Sequence, residues 1–194
     1  MNLIGITGNI GSGKSETGEI LRSLGFVVFD MDVWCRCMYF DPLFLEKIKQ
    51  NFPYSFENGV FNKSILRQRV FSDSKELQKL ESLTHPFLTQ KFIKTIHRFR
   101  FSPYPIFIET ALLYEMELSK YCQKVILTTA PYDIIKKRVI KRDNISSSSL
   151  DNILNNQAKS QVYEKYADIV LDTNVSLPLL KARIIKLIKK EILC

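Results

Sequence analysis

Long hydrophobic runs are missing from this sequence, and histidine, tryptophan and cysteine are scarce. No apolar stretch approaches the ~20 residues that cross a bilayer, so no membrane span is expected. The chain has two histidines and four cysteines, and no two cysteines have Cys-x-x-Cys spacing. A zinc site is therefore not expected, and the cysteines are interpreted as reduced thiols. The first 13 residues contain no lysine or arginine, so we predict no secretory signal and a cytoplasmic location.

The rest of the composition is that of an ordinary globular protein. The 194 residues are 45% hydrophobic and 25% charged, which excludes collagen-like, disordered and disulfide-scaffold proteins. A chain of this length usually forms one domain, with room for a small insertion. Basic residues outnumber acidic ones by 28 to 20, so the net charge is +8 and an anionic partner is expected. Charge alone does not distinguish nucleic acid, lipid and nucleotide.

Five short apolar segments separated by helical patterns predict five buried strands. They occupy residues 2–7, 26–29, 104–109, 124–129 and 169–171. Continuous apolar strands that alternate with helices indicate a parallel sheet with helices on both faces, a three-layer α/β fold. Roughly 60 residues lie between the second and third strands, too many for one crossover. We therefore predict a wholly helical insertion over residues 40–101 in an otherwise single domain.

A glycine-rich segment directly follows the first predicted strand. Residues 8–15 read GNIGSGKS and match the full pattern G-x-x-x-x-G-K-[ST], and a helix is predicted over residues 14–24. In such a loop, glycines let successive backbone N–H groups turn toward a phosphate, and the helix N-terminus points at the same place. Lys14 is expected to reach the β- and γ-phosphates, and Ser15 to bind Mg²⁺. The motif predicts a nucleoside triphosphate and Mg²⁺.

The loop motif occurs in kinases, GTPases and ATPases alike. Other segments of the sequence help to distinguish these three classes. GTPases usually carry Asn-Lys-x-Asp, whereas the only Asn-Lys pair here, at Asn62, is followed by serine and isoleucine. The segment 106–110 only partly resembles the apolar run plus Asp-Glu of motor ATPases. The short chain and helical insertion favour a small-molecule kinase. A nucleotide-binding switch that hydrolyses ATP slowly is the alternative.

Two carboxylates follow the second predicted strand. Asp30 and Asp32 should lie at the sheet edge that carries the phosphate loop. An alcohol kinase needs a carboxylate to accept the hydroxyl proton, and Asp32 is our candidate for this base. Asp30 would either lie beside the base or contact Mg²⁺ through a bound water. Either residue could instead cap a helix around residues 33–38. Arg36, one turn after Asp32, could pair with it or bind a substrate phosphate.

Together with these motifs, four further segments occur in an order that resembles the dephospho-CoA kinase family. They are LTHP at 83–86, LLYE at 112–115, RVIKRD at 138–143, and Gln157 followed by ADIVLDTN at 167–174. The resemblance therefore extends from residue 3 to about residue 174. Glu16, Glu109 and Ala111 depart from the family pattern, which usually has threonine, aspartate and proline there. Gln161 and its neighbours also replace acidic residues that are common in the family after Gln157.

The resemblance implies a P-loop kinase that transfers the γ-phosphoryl group of ATP to the 3′-hydroxyl of dephospho-CoA. It also implies that residues 40–101 bind CoA and that residues 138–162 form a lid. The implied catalytic residues are Lys14, Asp32, Arg138 and Arg142. The implied ATP-binding residues are Gly8, Asn9, Ile10, Gly11, Ser12, Gly13, Lys14, Ser15, Glu16, Arg142 and Asn174. The implied dephospho-CoA-binding residues are Thr7, Asp32, Arg36, His85, Leu112 and Glu115.

Several of these residues also have a purely structural interpretation. Arg138 and Arg142 share one helix face that could simply be a solvated basic surface. His85 precedes a proline and could be a buried imidazole at a helix break. Glu115 could cap a helix. The basic helix over residues 177–193 is expected to close the core rather than bind a membrane, and two polyanionic substrates account for the charge without nucleic acid. A monomer or weak homo-oligomer is expected.

Overall fold

The computed structural model describes residues 2–143, 150 and 163–193. Contacts divide the chain into two compact units. The sheet unit comprises residues 1–30 and 98–194, and the helical unit comprises residues 31–97. The predicted insertion began at residue 40, whereas the helical unit begins at residue 31. Within the described residues, no helix is both long and apolar enough to cross a membrane.

The sheet unit is built on five parallel strands. These are β1 (Leu3–Thr7), β2 (Val27–Asp30), β5 (Ile106–Glu109), β6 (Lys124–Thr129) and β7 (Ile169–Asp172). Their order in the sheet is β2-β5-β1-β6-β7, so β1 is the central strand. All five predicted strands are confirmed, with ends that differ by two residues or fewer.

The register of the strands brings several polar side chains to one edge of the sheet. Ile6 of β1 pairs with Glu109 of β5, and Glu109 also pairs with Asp30 of β2. On the other side, Thr7 pairs with Leu127 of β6. Because all five strands are parallel, their carboxyl ends meet at this edge, where the loop after β1 leaves the sheet.

Two helices cover one face of the sheet with apolar side chains. They are α1 (Lys14–Ser23) and α7 (Leu177–Leu187), and a π-helical turn (Ile188–Ile192) follows α7. The core they form with the strands contains Ile4, Ile6, Ile20, Leu21, Phe107, Ile126, Leu171, Leu180, Ile184, Ile188 and Ile192. The prediction that the C-terminal helix closes the core is therefore confirmed. A further helix of this unit, α6 (Tyr132–Asp143), follows β6.

The helical unit contains four helices and one hairpin in the described chain. The helices are α2 (Met31–Cys37), α3 (Pro42–Asn51), α4 (Lys63–Ser72) and α5 (Ser74–Arg98), the last ending at the unit boundary. Side chains cap three of them at the N-terminus: Asp41 accepts from the N–H groups of Leu43 and Phe44, Asn62 accepts from Ser64 and Ile65, and Asp73 accepts from Lys75. The fully buried Phe44, Phe52 and Phe92 contribute to its interior.

The hairpin corrects the prediction that the insertion over residues 40–101 is wholly helical. Phe56–Glu57 (β3) and Val60–Phe61 (β4) form an antiparallel pair. Asn58 and Gly59 between them have φ values of +50° and +79°, the left-handed backbone that an Asn-Gly hairpin turn requires. The sequence pattern missed this hairpin because two-residue strands are too short to show an alternating period.

Candidate active site

The glycine-rich segment of residues 8–13 connects β1 to α1 as a tight loop. Gly13 has a φ of +95°, and a Cβ atom there would lie 2.7 Å from Thr173 Oγ1. A side chain at this position would be both strained and obstructed. Gly13 is also the N-cap of α1 and supplies no side-chain cap, so the first N–H groups of the helix face the loop. Backbone amides at a helix N-terminus are a favourable site for phosphate.

Lys14 is held against the carbonyl groups of its own loop. Its Nζ donates to the carbonyl oxygens of Gly8 at 2.7 Å and Asn9 at 3.0 Å. The residue is only 8% exposed, so its ammonium is buried beside the loop backbone. This arrangement places a fixed positive charge at the loop, and the predicted contact of Lys14 with the phosphates stays a prediction.

Two buried hydroxyl groups connect the loop to strand β6. The Oγ atoms of Ser12 and Thr128 lie 2.7 Å apart, and the Thr128 hydroxyl donates to the carbonyl oxygen of Thr7 at 3.1 Å. Since a hydroxyl has one hydrogen, the Ser12 hydroxyl is the donor in the first bond. All three residues are at most 2% exposed. The loop is thereby anchored to the central strands.

Arg138 of α6 contacts the opposite part of the loop. Its Nη1 donates to the carbonyl oxygen of Gly11 at 3.2 Å and to Thr173 Oγ1 at 2.9 Å. Its Nη2 donates to the carbonyl oxygen of Thr173 at 2.8 Å. The Thr173 hydroxyl in turn donates to the carbonyl oxygen of Ser12 at 2.8 Å. Arg138 is thus brought to the phosphate loop, where it binds backbone oxygens.

Thr128 and Thr173 are the residues of this site that sequence reasoning missed. Each lies near the carboxyl end of a strand, Thr128 inside β6 and Thr173 just after β7. Thr173 also falls within the ADIVLDTN segment, but that segment directed attention to Asn174. Threonine is common in strands, so nothing local marks these two hydroxyls as contacts of the loop.

Ser15 and Glu16 occupy the first turn of α1, and both are exposed. A serine hydroxyl at this point is a hard oxygen ligand of the kind that Mg²⁺ accepts. In the part of the chain that the structure describes, no three or more His, Cys, Asp or Glu residues form a metal-binding group. This donor set fits Mg²⁺, which usually keeps several waters and takes further oxygens from substrate phosphates.

Glu109 is a buried carboxylate at the end of β5, next to the central strand. It is 3% exposed, and Nη2 of Arg22 in α1 lies 3.5 Å from its Oε2. The same Nη2 lies 3.5 Å from the carbonyl oxygen of Val28 in β2. The Glu109 carboxylate packs directly against Gly18, and a Cβ atom at Gly18 would overlap it. The absence of a side chain at Gly18 gives this glutamate the space that a shorter aspartate would not need.

The acidic pair after β2 falls on the boundary between the two units. Asp30 is the last residue of β2, and α2 begins at Met31. Asp32 therefore lies in the first turn of α2 and is exposed, as is Arg36 one turn later. Of the two capping interpretations, only Asp30 stands at the position that precedes the helix. The roles of Asp32 as base and of Arg36 as phosphate ligand stay predictions.

His85 lies within α5, in the helical unit, and is half-buried. The helix-break interpretation of this residue is wrong, because α5 continues through Pro86 for 25 residues in all. A proline inside a helix removes one backbone N–H, but the long helix tolerates this loss. The predicted contact of His85 with dephospho-CoA is untested.

Leu112 and Glu115 lie in a series of turns between β5 and a short 3₁₀ helix (Leu118–Tyr121). The Leu112 N–H donates to Thr110 Oγ1 at 3.1 Å. Glu115 accepts a hydrogen bond from the Tyr163 hydroxyl. Burial, together with the Glu115 charge, raises the pKa of Tyr163 to about 12. The N-cap of that 3₁₀ helix is Glu117, not Glu115.

Arg142 and Asn174 are both exposed. The Arg142 guanidinium donates two bonds of 2.7 Å to the carboxylate of its neighbour Asp143, and these bonds lower the pKa of that carboxyl. The Asn174 N–H donates to Asp172 Oδ1 at 2.9 Å.

Within the predicted lid, residues 138–143 and 150 are described. Gln157 and the rest of the predicted lid lie outside the described residues.

Comparison with known proteins assigns the chain to a family. Residues 2–178 match the family model described as dephospho-CoA kinase. A dephospho-CoA kinase of Pseudoalteromonas translucida is 33% identical over 191 residues, which cover 96% of this chain and 90% of that protein.

Solved structures agree with this match. The protein TT1252 of Thermus thermophilus is 29% identical and superposes with a TM-score of 0.84, over 98% of this chain and 97% of that one. The dephospho-CoA kinase of Campylobacter jejuni is 25% identical, with a TM-score of 0.67 over 97% and 96% of the two chains. With a phosphate loop on a five-stranded parallel sheet and a family match that covers nearly all of its residues, this chain belongs to the dephospho-CoA kinase family.

Proposed function

We propose that this protein transfers the γ-phosphoryl group of ATP to the ribose 3′-hydroxyl of dephospho-CoA, giving CoA and ADP, the final step of coenzyme A synthesis. The family match gives the reaction, and the phosphate loop is the single structural observation that supports it most. The loop combines backbone amides, a helix N-terminus and a buried ammonium in one place, and phosphoryl transfer depends mainly on such positioning and charge.

On the ATP side, the loop amides and Lys14 would bind the phosphates. Lys14 would offset the charge that develops as the bond to the γ-phosphorus breaks. Arg142 stands on an exposed turn of α6 and would neutralise the transferring group after leaving Asp143. Residues 138–162 would act as the lid that carries this arginine.

On the acceptor side, Asp32 would accept the proton of the 3′-hydroxyl as its oxygen attacks phosphorus. Two observations support this role: Asp32 is exposed, and it comes two residues after the strand end that pairs with β5. Arg36, His85, Leu112, Glu115 and Thr7 would contribute to binding dephospho-CoA. Residues 40–101 would form the lobe that receives the CoA arm.

Mg²⁺ would be held by Ser15 together with phosphate oxygens and water, and Asp30 is the candidate for a contact through water. The ion would supply charge neutralisation for the phosphates. We also infer a cytoplasmic enzyme that acts as a monomer or weak homo-oligomer without nucleic acid, consistent with its reduced-thiol chemistry and two small anionic substrates.

The direct test is to incubate the purified protein with ATP, Mg²⁺ and dephospho-CoA and to quantify CoA and ADP by chromatography. We expect both products in equal amounts, and Lys14→Ala should abolish their formation. Lys120→Ala is the matched control, because Lys120 is an exposed lysine paired with Glu117 and should keep full activity. ATP hydrolysis without CoA formation, or efficient phosphorylation of a different alcohol, would overturn the proposal.

A further inference from the structure

One peptide group of the phosphate loop, between Ser12 and Gly13, is held from one side by Thr173. The Thr173 hydroxyl donates to the carbonyl oxygen of Ser12 at 2.8 Å, and the Thr129 carbonyl oxygen at 3.2 Å is a second, more distant acceptor of the same hydrogen. The Thr173 side chain also fills the space beside the Gly13 Cα, where a Cβ atom would be 2.7 to 2.9 Å from three of its atoms. Thr173 therefore fixes both the carbonyl of this peptide and the residue that follows it.

The orientation of that carbonyl determines the orientation of the next amide. In a trans peptide the C=O of one residue and the N–H of the next point in opposite directions. Because the Ser12 carbonyl points at Thr173, the Gly13 N–H points away from Thr173. Arg138 acts in the same way one peptide earlier: it binds the Gly11 carbonyl, and the Ser12 N–H donates to the Asn9 carbonyl within the loop at 3.1 Å.

Thr173 is itself rigidly held, so it can transmit this orientation. Its N–H donates to the Thr129 carbonyl of β6 at 2.9 Å. Its carbonyl and hydroxyl oxygens accept the two Arg138 bonds of 2.8 and 2.9 Å. The residue is 1% exposed, so water does not compete for these bonds. The hydroxyl accepts from a cation and donates to the loop, which makes it a stronger donor than an isolated hydroxyl.

We propose that Thr173 is a positioning residue for ATP, which, together with Arg138, presets the Gly13 amide to face the nucleotide phosphates. This inference rests on the proposed use of the loop for ATP and adds a residue to the machinery. It also gives Arg138 a specific role, because Arg138 holds the loop by donating to the carbonyl oxygens of Gly11 and Thr173. Neither residue needs to touch the nucleotide to have this effect.

The test compares Thr173→Val, which keeps the shape and removes the hydroxyl, with Thr173→Ser, which keeps the hydroxyl. Binding of a fluorescent ADP analogue should weaken about tenfold in Thr173→Val, since the buried bond to the Ser12 carbonyl and the bond accepted from Arg138 Nη1 are both lost. Thr173→Ser should restore most of that affinity. In turnover, the KM for ATP should rise while the KM for dephospho-CoA stays unchanged.

Ser55→Ala is the matched control for stability. Ser55 is fully buried in the helical unit, and its hydroxyl also donates to a backbone carbonyl, that of Phe52, at 2.7 Å. This variant should lower the melting temperature as Thr173→Val does, yet leave ADP binding unchanged. Equal loss of ADP affinity in both variants would make Thr173 merely structural and would overturn the inference.

Arg138→Lys provides a second, independent measurement. Lysine keeps the charge and loses the planar fork that holds two oxygens. Because both residues act on one loop, the double variant with Thr173→Val should weaken ADP binding by clearly less than the product of the two single effects. Strict additivity would contradict a shared role. ADP binding is measured without the acceptor, so these outcomes stand even if the wild-type protein fails to phosphorylate dephospho-CoA.

Discussion

Replacing Gly18 with alanine should destabilise this protein, although the same change normally stabilises a helix. Alanine is favoured over glycine in a helix interior by about 1 kcal/mol. Here, however, the new methyl group would overlap the carboxylate of Glu109, which is 3% exposed. The glutamate has little free space to move into, because the sheet and α1 enclose it.

The size of the effect follows from three contributions. Overpacking of a buried site costs about 1–3 kcal/mol. Weakening the contact between Glu109 and Arg22, whose side chain is 31% exposed, costs up to about 1 kcal/mol. After the helix-propensity gain of about 1 kcal/mol is subtracted, the net loss is about 2 kcal/mol. For a protein of this size, the melting temperature should fall by about 4–8 °C.

The assay is thermal unfolding followed by circular dichroism for four proteins: wild type, Gly18→Ala, Glu109→Asp and the double variant. Aspartate is shorter by one methylene, so it should make room for the methyl group, and the double variant should be more stable than Gly18→Ala alone. Glu109→Asp alone should cost about 1 kcal/mol for the lost methylene. The reasoning is refuted if Gly18→Ala melts at or above the wild-type temperature, or if aspartate brings no recovery.

Three further predictions concern chemistry and reactivity. Asp32→Asn should lower kcat by about 10²–10⁴-fold and leave the KM for ATP nearly unchanged; a variant that keeps most of its rate would remove Asp32 as the base. Arg142→Ala should reduce turnover by at least about tenfold. It should shift the melting temperature by less than about 3 °C, because the surface ion pair of Arg142 contributes at most about 1 kcal/mol. Parallel losses of turnover and of thermal stability would give Arg142 a structural role. Burial, aided by the charge of Asp168, raises the pKa of Cys122 to about 12, so only about one thiol in 10⁴ is ionised at pH 8. Iodoacetamide should therefore label the exposed Cys37 long before Cys122, as peptide mass spectrometry can follow, and equal labelling in the folded protein would contradict the burial of Cys122.

The strands and the phosphate loop could be predicted because their signals are local. Each strand is a short apolar run, and the loop is a fixed pattern in which every specified position has a physical reason. The ends of α1 at Lys14 and Ser23 were also close to the predicted ones. Strand order could not be read in the same way, since nothing in the run at residues 106–109 specifies that it pairs with both β1 and β2.

The residues that support the loop could not be predicted, because they are distant in sequence. Thr173 lies 161 residues from the Ser12 carbonyl to which it donates. Its identity as a loop contact depends on β6 and β7 being neighbours, which only the folded sheet reveals. Glu109 could be noticed as a departure from the family pattern. The space that Gly18 leaves for its longer side chain is visible only in the folded structure.

The core that joins β1 to α7 has a consequence for how the chain is made. Ile4 and Ile6 leave the ribosome well before Leu180 and Ile184, the residues of α7 that share a core with them. At translation speeds of about 5–20 residues per second, α7 is synthesised roughly 10–40 s after the central strand that it covers. During that interval this apolar strand is exposed to other nascent chains, so chaperone contact during synthesis should include β1.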